Sequence, residues 1–189
     1  ELRSGKLLDR VSERNKQILR GEDVISRIYY SEKGQGLQEL QGLVIETINL
    51  LLDELAEKHK FATTDIEDMV VAGNTIMEHL FLGLPSRSLR EEPYVPTLID
   101  FPAVKARELG IKINENASVY CLPAIAAYVS GDTTAGILAS CIFKTDALTL
   151  FLDVGTNGEI VLGNADWMVS CAASAGPAFE GAGVGHGVR

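Results

Sequence analysis

Between residues 148 and 162 the chain reads Leu148-Thr149-Leu150-Phe151-Leu152-Asp153-Val154, then Gly155-Thr156-Asn157-Gly158, then Glu159-Ile160-Val161-Leu162. Two short apolar runs separated by a glycine-rich interruption specify a strand, a tight turn and a second strand. Asn157-Gly158 is the two-residue signal expected at the tip. Asp153 then ends a buried strand beside a nest of backbone N–H groups, an arrangement that can hold a phosphate together with magnesium. In that reading Gly155 and Gly158 let a phosphate approach the main chain, Thr156 adds a hydroxyl donor, and Asp153 binds hydrated magnesium. A plain hairpin with a surface aspartate fits the pattern equally well.

The segment upstream, Gly131-Asp132-Thr133-Thr134-Ala135-Gly136-Ile137-Leu138-Ala139, predicts a helix of small residues with a carboxylate at its head. Asp132 is either the N-cap or a group that orients a water for attack on a terminal phosphate. Earlier still, apolar positions at 37, 40, 44, 48, 51 or 52, and 55 describe one face of a long amphipathic helix that ends near Lys58-His59-Lys60. A short helix is expected from Val24 to the Gly34-Gln35-Gly36 break, and the end of a strand pair over residues 2–14. Residues 65–72 read as a strand, and the turn Gly73-Asn74-Thr75 leads into a helix. Asn74 and Thr75 therefore sit at the strand-end edge where open α/β sheets bind ligands, with helix capping the alternative for Asn74. Pro85, Pro93, Pro96 and Pro102 make residues 84–103 irregular, ahead of a short helix near 104–109. Residues 119–122 form a strand, residues 167–171 add a third strand beside the hairpin, and a helix starts at Pro177.

Seventeen Lys and Arg against 26 Asp and Glu give a net charge of −9. Beyond Lys112 the only Lys or Arg residues are Lys144 and Arg189, which argues against a nucleic-acid partner. No apolar run is long enough to cross a bilayer and the first residues lack a signal-peptide core, so a soluble, cytoplasmic protein without a membrane partner is expected. Cys121, Cys141 and Cys171 lack a C-x-x-C spacing and are expected to be buried structural thiols. His79 is expected to be a packed or edge histidine and His59 to be solvated. Glu159 is open to a cleft role or to solvent, with solvent favoured.

The order of small-residue helix, strand, Asp-x-Gly-Thr turn and strand resembles the ATPase superfamily shared by sugar kinases, the seventy-kilodalton heat-shock proteins and actin. There two ribonuclease-H-like lobes clasp a nucleotide. Four further stretches are similar to the reductive activators of corrinoid proteins: Gly21-Glu22-Asp23-Val24-Ile25-Ser26-Arg27, the run 71–80 around Gly73-Asn74-Thr75, Asp153-Val154-Gly155-Thr156-Asn157-Gly158-Glu159-Ile160, and the run 174–183 with Gly176 and Glu180. This resemblance covers nearly the whole chain. It implies an α/β protein of the ribonuclease-H-like, actin-like ATPase class, a mixed sheet flanked by helices. Residues 1–144 would be most of a first lobe ending in a connecting helix, and 145–189 the opening strands of a second lobe with its phosphate motif.

The resemblance further implies ATP and magnesium as ligands and a corrinoid protein as partner. ATP hydrolysis would be coupled to delivery of a low-potential electron that restores cob(I)amide in a methyl-transfer protein. Asp132 and Asp153 would be the catalytic carboxylates, and Gly155, Thr156, Asn157 and Gly158 the phosphate cradle. Gly176 and Glu180 join Asn74 and Thr75 as candidate cleft residues, Glu180 being open to a simple helix-dipole role. The family's iron–sulfur cysteine cluster, first phosphate motif and adenosine motif do not occur in this sequence. The chain is therefore read as a middle fragment of a longer protein whose iron–sulfur cluster lies elsewhere, and weak or absent ATP binding is expected of it alone. Alternatives are a sugar-kinase-like phosphotransferase and a non-catalytic protein-binding scaffold. A homodimer, with a second copy covering the exposed sheet edge, is left open.

Overall fold

In the computed structural model, which describes residues 1, 3–155 and 157–174, the first helix starts where its cap is strongest. The Asp23 carboxylate accepts the Ser26 N–H at 2.8 Å, and the Ser26 hydroxyl accepts the Asp23 N–H at 3.2 Å. This reciprocal cap opens α1 (Val24–Ser31). After the Gly34-Gln35-Gly36 break, α2 (Gly36–His59) runs to Lys60, whose left-handed φ of 58° ends it. Along α2, Leu40 packs with Ile28, Ile76, Leu80 and Leu89, while Ile45 packs with Phe81, Phe101, Val119 and Cys121. One helix thus serves two apolar clusters, which is why its apolar stripe is broad.

Strand β1 (Asp68–Val71) turns through Gly73 and Asn74 into α3 (Thr75–Leu82). Asn74 caps α3 by accepting the Ile76 N–H at 2.9 Å. The proline-rich stretch that follows forms only a 3-10 turn at Arg87–Leu89 before β2 (Val104–Lys105) and α4 (Ala106–Leu109). β3 (Ser118–Cys121) lies between the other two strands, parallel to β1 and antiparallel to β2. Then α5 (Gly131–Ser140) leads into an antiparallel sheet of β4 (Thr149–Val154), β5 (Asn157–Gly163) and β6 (Met168–Ser174).

α5 joins the two sheets. A Cβ on Gly136 would stand 2.2 Å from the Phe151 ring, so the missing side chain is what lets helix and β4 approach. Beside Phe151 on the same face, its cross-strand partner Val161 on β5 is 1% exposed. The opposite face of this sheet is apolar and open, with Leu150, Leu152 and Val154 each more than half exposed.

Three expectations need correction. No strand forms among the described residues of 2–14; Leu7 and Leu8 are 76% and 66% exposed, and without an adjacent strand an extended segment has no ladder to join. Asn157-Gly158 is not the hairpin tip. Val154 pairs with Gly158, and β6 pairs with both residues, Asn157 opposite Ser174 and Gly158 opposite Ala173, so the third strand draws them into the ladder. Cys121 is buried, but Cys141 and Cys171 are exposed, one ending α5 at φ 56° and the other on the open sheet face. His59 is exposed as expected, with its Nε2 2.5 Å from the Asp9 carboxylate at the surface. His79 is packed as expected: Nδ1 meets the Thr75 carbonyl at 2.7 Å, Nε2 accepts the Leu98 N–H at 3.4 Å, and burial lowers its pKa. The helix expected from Pro177 lies outside the described residues.

Candidate functional site

Strand alternation decides which acids of the hairpin meet. Asp153 and Glu159 are directly paired across β4 and β5, so both side chains leave the same face of the sheet, the face that packs on α5. Asp132, the second residue of α5, comes to that face from the helix head. The three carboxylates share a cleft of about 260 Å³ with Asn74, Gly155 and Asn157. Its remaining wall is the start of α1, which contributes Glu22, Asp23, Val24 and Arg27. A larger hollow of about 540 Å³ lies between Tyr94–Asp100 and Ile125–Ala127, and its lining is mostly apolar.

Asp132 is not the N-cap. Ser130 occupies that position, and the Asp132 carboxylate accepts the Thr133 N–H at 2.7 Å. Its main-chain N–H donates to the Gly73 carbonyl at 3.3 Å, tying the helix head to the turn that carries Asn74. The Asn74 side chain both caps α3 and lines the cleft, so the two roles weighed for it coexist. Thr75 does not line the cleft: it is fully buried, and its hydroxyl donates to the Ala126 carbonyl at 3.2 Å. Gly158 lies in β5, with space around it, since a Cβ there would come no closer than 3.8 Å to Ala173. Thr156, Gly176 and Glu180 lie outside the described residues.

Glu159, favoured above for solvent, lines the cleft. Burial, and then the negative charges of Asp132 and Asp153, raise its pKa above the usual carboxylate value. Five acids around so small a space repel one another, and Arg27 is the one cation among the cleft's described lining residues. Its Nε donates to the Gly21 carbonyl at 3.0 Å and Nη1 contacts the Met77 sulfur at 3.0 Å, so α1 is anchored to α3 beside the cleft. Residue-by-residue reading missed Glu22, Asp23 and Arg27 as site residues, because more than a hundred residues separate them from Asp132. The Gly21–Arg27 motif was the signal that could have found them.

Hard carboxylate oxygens suit a hydrated divalent ion. Among the described residues, no three acidic, histidine or cysteine side chains stand close enough to cage a metal by themselves.

Comparison with known proteins adds to this geometry. Two family models match, one described as the RACo middle region over residues 1–145 and the other as the C-terminal domain of RACo, the ASKHA domain, over 147–189. A protein named corrinoid activation enzyme RamQ, from Eubacterium limosum, is 36% identical over 190 residues, covering 100% of this chain and 32% of its own length. A [Co(II) methylated amine-specific corrinoid protein] reductase from Methanosarcina barkeri is 30% identical over 128 residues, 68% of this chain and 22% of the relative. A solved structure titled reductive activator for corrinoid, iron–sulfur protein superposes with a TM-score of 0.92 at 48% identity, over 100% of this chain and 30% of that one. The chain thus spans about a third of the length of these full-coverage relatives.

Proposed function

The chain belongs to the RACo family, and from that premise we propose that it is the part of an ATP-dependent reductive activator that grips the phosphates of ATP. Its fold is the ribonuclease-H-like, actin-like ATPase fold. The two lobes would divide at 144/145, a reading supported by the meeting of the two family matches at 145 and 147.

One observation carries the reading: Asp132 from the helix and Asp153 from the hairpin face the same cleft, beside the glycine turn and Asn157. Asp153 would hold hydrated magnesium, whose charge would offset the crowded acids and the phosphate oxygens. The glycine turn at Gly155, Thr156, Asn157 and Gly158 would cradle phosphate oxygens with its main chain, the Gly155 N–H giving up its bond to the Asn157 carbonyl at 2.9 Å to do so. Asp132, held from behind by Gly73, would orient the attacking water. In the complete protein, hydrolysis would accompany transfer of one electron from an iron–sulfur domain outside this chain to the cob(II)amide of a corrinoid protein, giving cob(I)amide. The names of the relatives support that partner and that reaction.

The test is calorimetric titration of magnesium ATP into this chain and into the chain extended upstream by the next strand pair, each with an Asp153→Ala control. Binding should be weak or absent in the first, measurable in the second and weakened by the substitution. Tight binding by the chain alone would overturn the expectation that the family's first phosphate motif, which this sequence does not contain, is needed to hold ATP. Absence of binding in both forms would point to a scaffold instead of an ATPase.

A further inference from the structure

One carboxyl lies beneath the cleft instead of in it. Glu78, on α3, is 1% exposed. Its Oε1 accepts the Gly73 N–H at 3.2 Å, and its Oε2 has no hydrogen-bond partner among the described residues. The head of α5 rests on this carboxyl. A Cβ on Gly131 would stand 2.3 Å from Glu78 Oε1 and 2.9 Å from the Leu122 carbonyl oxygen, so only glycine lets the helix sit this close. Gly73 is therefore held twice, its N–H by Glu78 and its carbonyl by the Asp132 N–H.

The titratable groups facing Glu78 are the Asp132 carboxylate on α5 and the Cys121 thiol on β3. Neither offers a positive charge to an ionised Glu78. Burial first, and then Asp132, push its pKa up to about 8, against the opposing effect of the Gly73 N–H. The proton belongs on Oε2, because Oε1 is already engaged as an acceptor.

We propose that Glu78 is a positioning residue: buried under Gly131 and bonded to the Gly73 N–H, its carboxyl clasps the Gly131-Asp132 helix head to the Gly73-Asn74 turn and so fixes Asp132. The role in turnover rests on Asp132 orienting water as proposed above; the clasp itself does not. The sign follows from linkage. The closed clasp keeps its proton up to about pH 8, whereas an opened, hydrated Glu78 would lose it near the ordinary value of 4.5. Opening therefore becomes easier as pH rises between those values, by up to about tenfold per pH unit, and levels off above them.

Amide hydrogen exchange on the 189-residue chain without nucleotide reads this directly. After correction for intrinsic exchange, protection of the Asp132 amide should fall about tenfold per pH unit across that window, and should lose this dependence in Glu78→Gln, which keeps the shape and cannot ionise. A flat wild-type profile, or an equal slope in Glu78→Gln, would overturn the clasp. If Glu78→Gln does not fold, carbon-13 NMR of the wild-type Glu78 carboxyl decides: titration near pH 8 supports the proposal and titration near 4.5 overturns it. In the complete activator, Glu78→Ala, which removes the support under Gly73 and Gly131, should lower kcat for ATP hydrolysis with little change in KM, and Glu78→Gln should restore it. A clasp seen by exchange but absent from kcat would overturn only the link to Asp132.

Discussion

Gly158 separates a structural glycine from one kept for a ligand. Its neighbours leave room for a methyl group, and it does not occupy a left-handed conformation, so nothing in the described fold demands glycine there. Gly158→Ala should therefore leave the fold intact and raise stability by up to about 0.5–1 kcal/mol, as seen when glycine is replaced within regular structure. If the main chain at 158 receives phosphate, the same change should weaken ATP binding by about tenfold or more, the equivalent of one contact to a charged group at roughly 1.5 kcal/mol. Urea unfolding and nucleotide titration on the upstream-extended chain check the two halves. Unchanged affinity would remove Gly158 from the cradle. Gly131 is the opposite case, because its missing side chain is filled by Glu78 and Leu122. Both glycines are plain in the sequence, but their different reasons depend on neighbours far away in the chain.

At the level of the element, α2 and α3 were readable because period and caps agree. The apolar stripe from Leu37, the Asn74 cap and the Gly83 stop at φ 69° are local signals, and each element lies close to where they place it. α2 carries one local flaw, Gly42, exposed in mid-helix with nothing within 4 Å of where a Cβ would be. Gly42→Ala should stabilise the chain by about 0.5–1 kcal/mol in urea melts, chiefly by restricting the unfolded state. A destabilised variant would mean that this face of α2 is covered in solution. The hairpin shows where local signals mislead. Asn157-Gly158 favours a two-residue tip in isolation, but pairing with Ala173 and Ser174 on β6 supplies ladder partners that the isolated turn lacks.

At the scale of the whole molecule, α5 joins two sheets of different character. One packs β1, β2 and β3 against helices, with Phe101, Ile113, Val119 and Cys121 in its core. The other has a face with cleft acids and a face that is apolar and open, where Leu150 and Leu152 of β4 lie opposite Leu162 and Ile160 of β5, with Val169 and Cys171 of β6 next. A continuous apolar face of this kind drives association unless it is covered. Sedimentation should show the 189-residue chain associating as concentration rises, and Leu152→Lys should reduce this while leaving the cleft face, which carries Phe151 and Asp153, untouched. A monomer across the concentration range would count against this.

The sequence by itself determined the main helices and the paired strands around Asp153, because each is written in a local period, cap or turn, while the class of fold came from the family resemblance carried by the order of the motifs. Tertiary structure decided the rest. Which face of β5 carries Glu159 follows from pairing with β4, and the choice between cleft and solvent follows from α5 lying on that face. Glu22, Asp23 and Arg27 enter the cleft because α1 packs on α2 and α3, Ile28 against Leu40 and Ile76 and Arg27 against Met77. Glu78 reads as an ordinary helical acid until Gly131 closes over it. Periodicity can place a residue on a face of its own element. Burial and a shifted pKa depend on what another element brings to that face, and that contact is made at long sequence range.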